Sequence, residues 1–293
     1  MNASRTECPA ESGRRDGQQV RGAFTLLELA VVLATVAVLL AVLTPALARM
    51  KPNGYTVQCL NNMRQLARAW QVYADDNVGR IVINLHGGPA AGGVGDPVYG
   101  KSWASGWLDW ATRSDNTNTV FLADPRYARL ASYLNRTTNV FKCPADKYVS
   151  STQRAIGWTQ RARSYSATIY LGAGNAEQGP IDPIYKHVTR ISDMLYPTPA
   201  QTWVHLDEHP DSMNDAAFFS PHQAFWIDNP ATYHNGAAAF SFADGHSEIH
   251  KWTGSLTRLT QVNFNFSTIS ALPGDPDLHW VSFHSQRISA TSY

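Results

Sequence analysis

Residues 23–47 read AFTLLELAVVLATVAVLLAVLTPAL, and the organisation of the chain follows from this stretch. From Leu26 to Leu43 the only charged side chain is Glu28. Extended by Ala46 and Leu47, the run approaches the roughly 20 apolar residues that span a hydrocarbon core, which predicts a membrane helix. Arg5, Arg14, Arg15 and Arg21 precede it and predict that the N-terminus stays in the cytoplasm. An ordinary secretory signal would be cut after the run, and residues 44–48 loosely fit such a site. Glu28 argues against that alternative, because a carboxylate within an apolar span is costly unless it is paired and so marks a functional position.

Working outward, Pro45 removes one helix hydrogen bond, and Pro52-Asn53-Gly54 is a stronger breaker, so the first helix is expected to end or bend near Lys51. Beyond it, Cys59, Leu60, Met63, Leu66, Ala67, Trp70, Tyr73 and Ala74 recur at three- and four-residue spacing, which predicts an amphipathic helix over 56–76. Asp75 to Gly79 supplies its stop. From Val82 the texture changes to short apolar runs separated by Gly, Pro, Asn and Asp, with a broken helical period over 119–134. The fold class expected is α+β: a long N-terminal membrane α-helix followed by a β-rich globular head with an antiparallel sheet.

Near the C-terminus, Asp244-Gly245 reads as a two-residue type I′ turn closing a hairpin. Counting outward pairs Ala243 with His246, Phe242 with Ser247, Ser241 with Glu248 and Phe240 with Ile249. That register puts Phe240, Phe242 and Ile249 on one face, and His246, Glu248 and His250 on the other. The second face is either a solvent-facing polar strand or a set of zinc ligands. The acidic stretch 206–215 offers Asp207, Asp211 and Asp215 as ligands for a structural calcium, with a solvated turn as the alternative, since the spacing is not that of an EF-hand.

Other classes are excluded or weakened. A net charge of +1 without a Lys/Arg block leaves no footprint for nucleic acid. No P-loop, nucleophile elbow or dinucleotide fingerprint occurs, so no catalytic residue is assigned and the chain is not expected to be an enzyme. Trp103, Trp107 and Trp110 form a small aromatic cluster, explained either by core packing or by a binding face.

The segment Ala23-Phe24-Thr25-Leu26-Leu27-Glu28-Leu29, with the apolar run and Pro45, resembles the signature of type IV prepilins and type II secretion pseudopilins. The stretch from Cys59 to Leu66, and His234 followed after nine residues by Asp244-Gly245, resemble pilin-like proteins with an H-X9-DG processing-associated domain. The resemblance implies a cut between Ala23 and Phe24, making Glu28 the fifth mature residue and Pro45 the twenty-second. Gly22, of the type usual before the cut, sits one place early, so cleavage after Gly22 stays open. The implied layout is a cytoplasmic leader (1–23), a transmembrane and assembly helix (24–51), and a periplasmic or extracellular head (52–293) carrying the helix 56–76 and the hairpin 234–252. The chain would then sit in the inner membrane as a single-pass protein.

By the same resemblance Glu28 pairs with the amino terminus of a neighbouring subunit, snorkelling to headgroups being the alternative. Cys8 goes with the leader, and Cys59 and Cys143 form a disulfide, two buried free thiols being the alternative. The implied partners are a prepilin peptidase, other pilin or pseudopilin subunits and membrane lipid. The implied function is a structural subunit of a pilus-like or pseudopilus filament; a membrane-tethered extracytoplasmic binding protein is the alternative.

Overall fold

The computed structural model describes residues 25–91, 102–173, 183–221, 224–259 and 261–290, the side chains of 42–53 excepted. Gly22, Ala23, Phe24 and Cys8 lie outside the described residues, and so does the side chain of Pro45. The chain divides into two compact units, Met1–Arg49 and Met50–Tyr293.

Helix α1 runs Leu26–Asp76. Its backbone stays helical through Pro45 and Pro52-Asn53-Gly54, where a break near Lys51 was expected. Each proline lacks one N–H donor, and the remaining i to i−4 hydrogen bonds of the helix carry that loss. The helix ends where Asn77 Nδ2 donates to the Tyr73 carbonyl at 2.7 Å and Val78 and Gly79 turn left-handed, with φ of 58° and 73°.

Two expectations are corrected here. Among the described residues no helix is long and apolar enough to cross a membrane. Over residues 26–41 the apolar side chains of α1 are interrupted by Glu28 and Thr35. The long membrane helix, and with it the single-pass inner-membrane placement, is therefore not what the structure has. The sheet is also not purely antiparallel.

In the second unit, α2 (Gly87–Ala91), α3 (Val120–Ala123) and α4 (Ser151–Ala155) are single turns, and α5 spans Pro276–Phe283. The broken period over 119–134 yields only α3 and a 3-10 turn at Ala131–Leu134, because Asp124 precedes Pro125 and is extended, with ψ of 122°. The strands are β1 (Tyr165–Thr168), β2 (Trp203–Asp207), β3 (Ala217–Phe218), β4 (Phe225–Trp226), β5 (Ala237–Phe242), β6 (Ser247–Lys251) and β7 (Ile269–Ser270). Five form one mixed sheet in the order β3-β1-β2-β5-β6, in which β1 and β3 are parallel and the other neighbours antiparallel. β4 and β7 form a separate antiparallel pair.

Both faces of the five-stranded sheet are covered. On one lie Cys59, Met63, Leu66 and Trp70 of α1 with Trp103, Phe141 and Ala239. On the other lie Trp203, Phe218, Trp226, Phe240, Trp252 and Val281 of α5. Every residue of β5 is consequently buried, which explains why Ala237–Phe242 shows no in-out alternation of polarity.

The hairpin register differs by one residue from expectation. Ala239 faces Ile249, Phe240 faces Glu248 and Ser241 faces Ser247. Of the Asp-Gly pair only Gly245 is left-handed, with φ of 95°, so the turn is not type I′. Gly245 N donates to the Phe242 carbonyl at 2.9 Å and Phe242 N to the His246 carbonyl at 3.0 Å, closing a three-residue loop with one left-handed glycine. Asp244 Oδ1 accepts from His246 N at 3.1 Å and holds that form. The one-residue slip moves Ile249 to the α1 face and His250 to the aromatic face, where its ring stacks on Trp280 at 3.8 Å.

Candidate functional site

Four side chains from distant parts of the chain converge beneath α1. Cys59 is on α1, Cys143 follows the 3-10 turn Asn139–Phe141, Asp207 ends β2, and His234 stands just before β5. One ligand atom from each lies within 4.8 Å of all the others, the one such group of His, Cys and carboxylates among the described residues. Cys59 Sγ is 3.4 Å from Asp207 Oδ2, which is 3.0 Å from His234 Nε2, which is 3.4 Å from Cys143 Sγ. Cys59, Cys143 and Asp207 are 0% exposed.

Each member is held by its own local structure. Asn62, one turn along α1 from Cys59, donates from Nδ2 to the Lys142 carbonyl at 3.0 Å and to that of Asn139 at 3.3 Å, docking the Cys143 loop on the helix. Cys143 N donates to Ser164 Oγ at 2.8 Å. Asn235 and Gly236 are both left-handed, with φ of 59° and 77°, and this tight turn swings His234 back over the end of β2. Its Nδ1 lies 3.1 Å from Thr56 Oγ1. Asp207 Oδ2 accepts the Ala239 N–H at 3.1 Å, a consequence of β2 pairing with β5. Tyr165 Oη, from the start of β1, is 3.2 Å from Cys59 Sγ.

The electrostatics follow from burial. Burial first, then the neighbouring Cys143 and Asp207, push the Cys59 thiol well above its ordinary range. For His234, burial opposes protonation, but the hydrogen bonds to Asp207 and Cys143 outweigh it and hold the imidazole up to about 10. The cluster is not a Cys-His-Asp triad. A triad uses one imidazole nitrogen for the carboxylate and the other for the nucleophile, whereas here Nε2 faces both Asp207 and Cys143.

The sites expected from sequence fare differently. Cys59 and Cys143 come together, but as two free buried thiols rather than a disulfide. His234 joins them, while Asp244 and Gly245 shape the distant hairpin turn. Of the three calcium candidates only Asp207 is here. Asp211 accepts the N–H groups of Asn263 and Phe264 at 2.6 and 2.9 Å, and Asp215 those of Gly87 and Ala217 at 2.7 and 3.0 Å, so the three carboxylates serve separate backbone turns. His246, just before β6, stacks on Phe242 and His250 of β6 stacks on Trp280, so both histidines of the alternate-position set are in aromatic contacts.

At the N-terminal end of α1, Glu28 Oε2 accepts from Thr25 N at 2.8 Å and from Thr25 Oγ1 at 2.9 Å, while Glu28 N donates to Thr25 Oγ1 at 3.2 Å. This reciprocal pair is a capping box, and the Thr-x-x-Glu spacing at 25–28 is the sequence signal that identifies Thr25.

Comparisons with models of protein families, with characterised proteins and with solved structures find no match to the chain.

Proposed function

We propose that the protein is a structural subunit of a pilus-like or pseudopilus filament, trimmed by a prepilin peptidase and assembled through the N-terminal part of α1. The observation behind this reading is the apolar surface of residues 26–41. Leu26 is 86% exposed, Leu33 60%, Val38 64% and Leu40 57%. A helix that leaves large apolar side chains open around its circumference is suited to burial among other helices, and copies of the same segment are the occupants that a filament provides. Glu28 is the charged exception at the helix start. In the isolated chain its carboxylate is engaged by Thr25, and in a filament it would exchange that cap for the amino terminus of a neighbour.

Incorporation into filaments sheared from producing cells tests the proposal. Wild-type chain is expected in the sheared fraction, and Glu28→Ala and Leu33→Glu are expected to be lost from it. Incorporation of both variants at the wild-type level contradicts the reading.

A second reading rests on a different surface. Trp107, Trp110, Phe264 and Phe266 line an open groove together with Asp109 and Asp211. Phe264 packs edge-on against Trp110 at 4.9 Å, and the Arg161 guanidinium lies 4.0 Å from the Trp110 ring. Aromatic rings beside the half-buried Asp109 carboxylate suit stacking and hydrogen bonding to a sugar ring, which supports the reading of a binding module. Trp103 does not contribute, being buried against Phe141. Titration of neutral oligosaccharides against tryptophan fluorescence tests it: saturable quenching lost in Trp110→Ala supports binding, and an unchanged spectrum contradicts it.

A further inference from the structure

We propose that Cys59, Cys143, Asp207 and His234 form a closed, four-coordinate site for a transition-metal dication, with zinc the metal that the ligand set suits. The inference stands apart from the filament reading, since it rests on the second unit alone.

Geometry carries it. Neighbouring ligand atoms of a tetrahedral ion with bonds of about 2.0–2.3 Å are separated by about 3.3–3.8 Å. The separations here are 3.0, 3.4 and 3.4 Å around the chain from Asp207 and His234 to Cys143 and from Asp207 to Cys59, with none of the four atoms beyond 4.8 Å from another. The ligand shell is thus nearly at coordination size before any ion enters. Sulfur and imidazole ligands favour zinc over magnesium or calcium, which take oxygen.

The supporting atoms match the same purpose. With His234 Nε2 on the ion, Nδ1 keeps its proton and donates it to Thr56 Oγ1, 3.1 Å away, fixing the tautomer and the ring plane. The Ala239 N–H holds the Asp207 carboxylate and the Tyr165 hydroxyl reaches Cys59 Sγ. On binding, both thiol protons and the His234 Nε2 proton leave to solvent, and the dication meets two thiolates and one carboxylate. Four protein ligands leave no open position, and Cys59, Cys143 and Asp207 are fully buried, so the ion ties α1 to the Cys143 loop, to β2 and to the turn before β5 rather than serving chemistry.

The full-length chain in a Cys8→Ser background, purified without chelator, is analysed for metal by mass spectrometry and then titrated in metal-free, reduced form with Co²⁺ alone. One zinc per chain is expected, and Co²⁺ should give the near-ultraviolet sulfur-to-metal band and the strong visible bands of a tetrahedral thiolate site. Zn²⁺ should protect Cys59 and Cys143 from alkylation in the wild-type chain, a readout that survives if ligand variants fold poorly. Cys59→Ser and His234→Gln should each weaken Co²⁺ binding at least tenfold. A metal-free chain whose intact mass shows a Cys59–Cys143 disulfide overturns the proposal, as do reduced thiols that bind no Co²⁺ at micromolar concentration.

Discussion

His234 Nε2 stands 3.0 Å from Asp207 Oδ2, across 27 residues of sequence, and makes the one ion pair at the centre of the second unit's buried Cys-Cys-Asp-His cluster. Asp207 is 0% exposed, so its carboxylate depends on this partner, on the Ala239 N–H and on the Cys59 thiol. His234→Ala leaves a buried charge without its counter-ion, and the metal-free protein is expected to lose about 3–5 kcal/mol. Adding Asp207→Asn should recover part of that loss, since the two changes remove one interaction. Urea midpoints of the single and double variants check both; a single-variant cost under about 1 kcal/mol would show that the pair does not carry the local stability.

A backbone contact makes the second prediction. Gly172 has φ of 89°, and a Cβ there would lie 2.1 Å from the Val82 carbonyl oxygen, whereas at Gly157, with φ of 87°, it would meet nothing within 4 Å. Gly157→Ala should cost about 1–2 kcal/mol from the left-handed backbone alone. Gly172→Ala should cost clearly more, above about 3 kcal/mol, because main chain rather than a flexible side chain must move. Equal melting temperatures for the two variants would contradict the close approach of these segments.

Asp215 sets a pH dependence. Burial pushes its carboxyl from 3.8 up to about 6, with the N–H groups of Gly87 and Ala217 holding it back. The folded chain therefore keeps a proton that the unfolded chain loses, and this contribution to stability is full below about pH 4 and lost as pH rises through about 6. The loss is about 3 kcal/mol for a shift of this size. Asp215→Asn, neutral throughout, should lack that decline when urea midpoints of the two proteins are compared from pH 4 to 7; parallel profiles would place Asp215 in a more solvated setting.

The Thr25 cap predicts a titration. Hydrogen bonds from the Thr25 backbone and hydroxyl hold the Glu28 carboxyl below its ordinary 4.5. Carboxyl NMR of a chain labelled at glutamate should show the Glu28 midpoint rising in Thr25→Ala, most of the way toward an unperturbed glutamate if the backbone N–H is released along with the hydroxyl. An unmoved midpoint would mean that the capping box is not formed in solution.

How much of this was legible in the sequence varies from element to element. The apolar period from Cys59 to Ala74 does bury one face of α1, because an exposed helix face and a core face differ in composition at 3.6-residue spacing. Cys59, Cys143 and His234 each stood out, but as separate motifs. Asp207 was grouped with Asp211 and Asp215, its neighbours in sequence, although strand geometry gives it to Ala239 and His234 instead. No local pattern reports which strands pair, and the pairing of β2 with β5 is what brings Asp207 to His234. The hairpin register failed for a local reason: Asp-Gly suits a two-residue turn and a three-residue loop alike, and only the φ of Asp244 separates them. The membrane span expected over 24–51 does not hold, since no helix among the described residues is long and apolar enough to cross a membrane.

The filament account turns most directly on where the mature chain begins. Intact-mass and N-terminal analysis of the protein from cells with and without prepilin peptidase is the measurement. The account predicts a peptidase-dependent start at Phe24 or Ala23, which leaves the exposed apolar segment and Glu28 at the head of the mature chain. A start at or beyond Ala46, independent of that peptidase, would remove the assembling segment and contradict it.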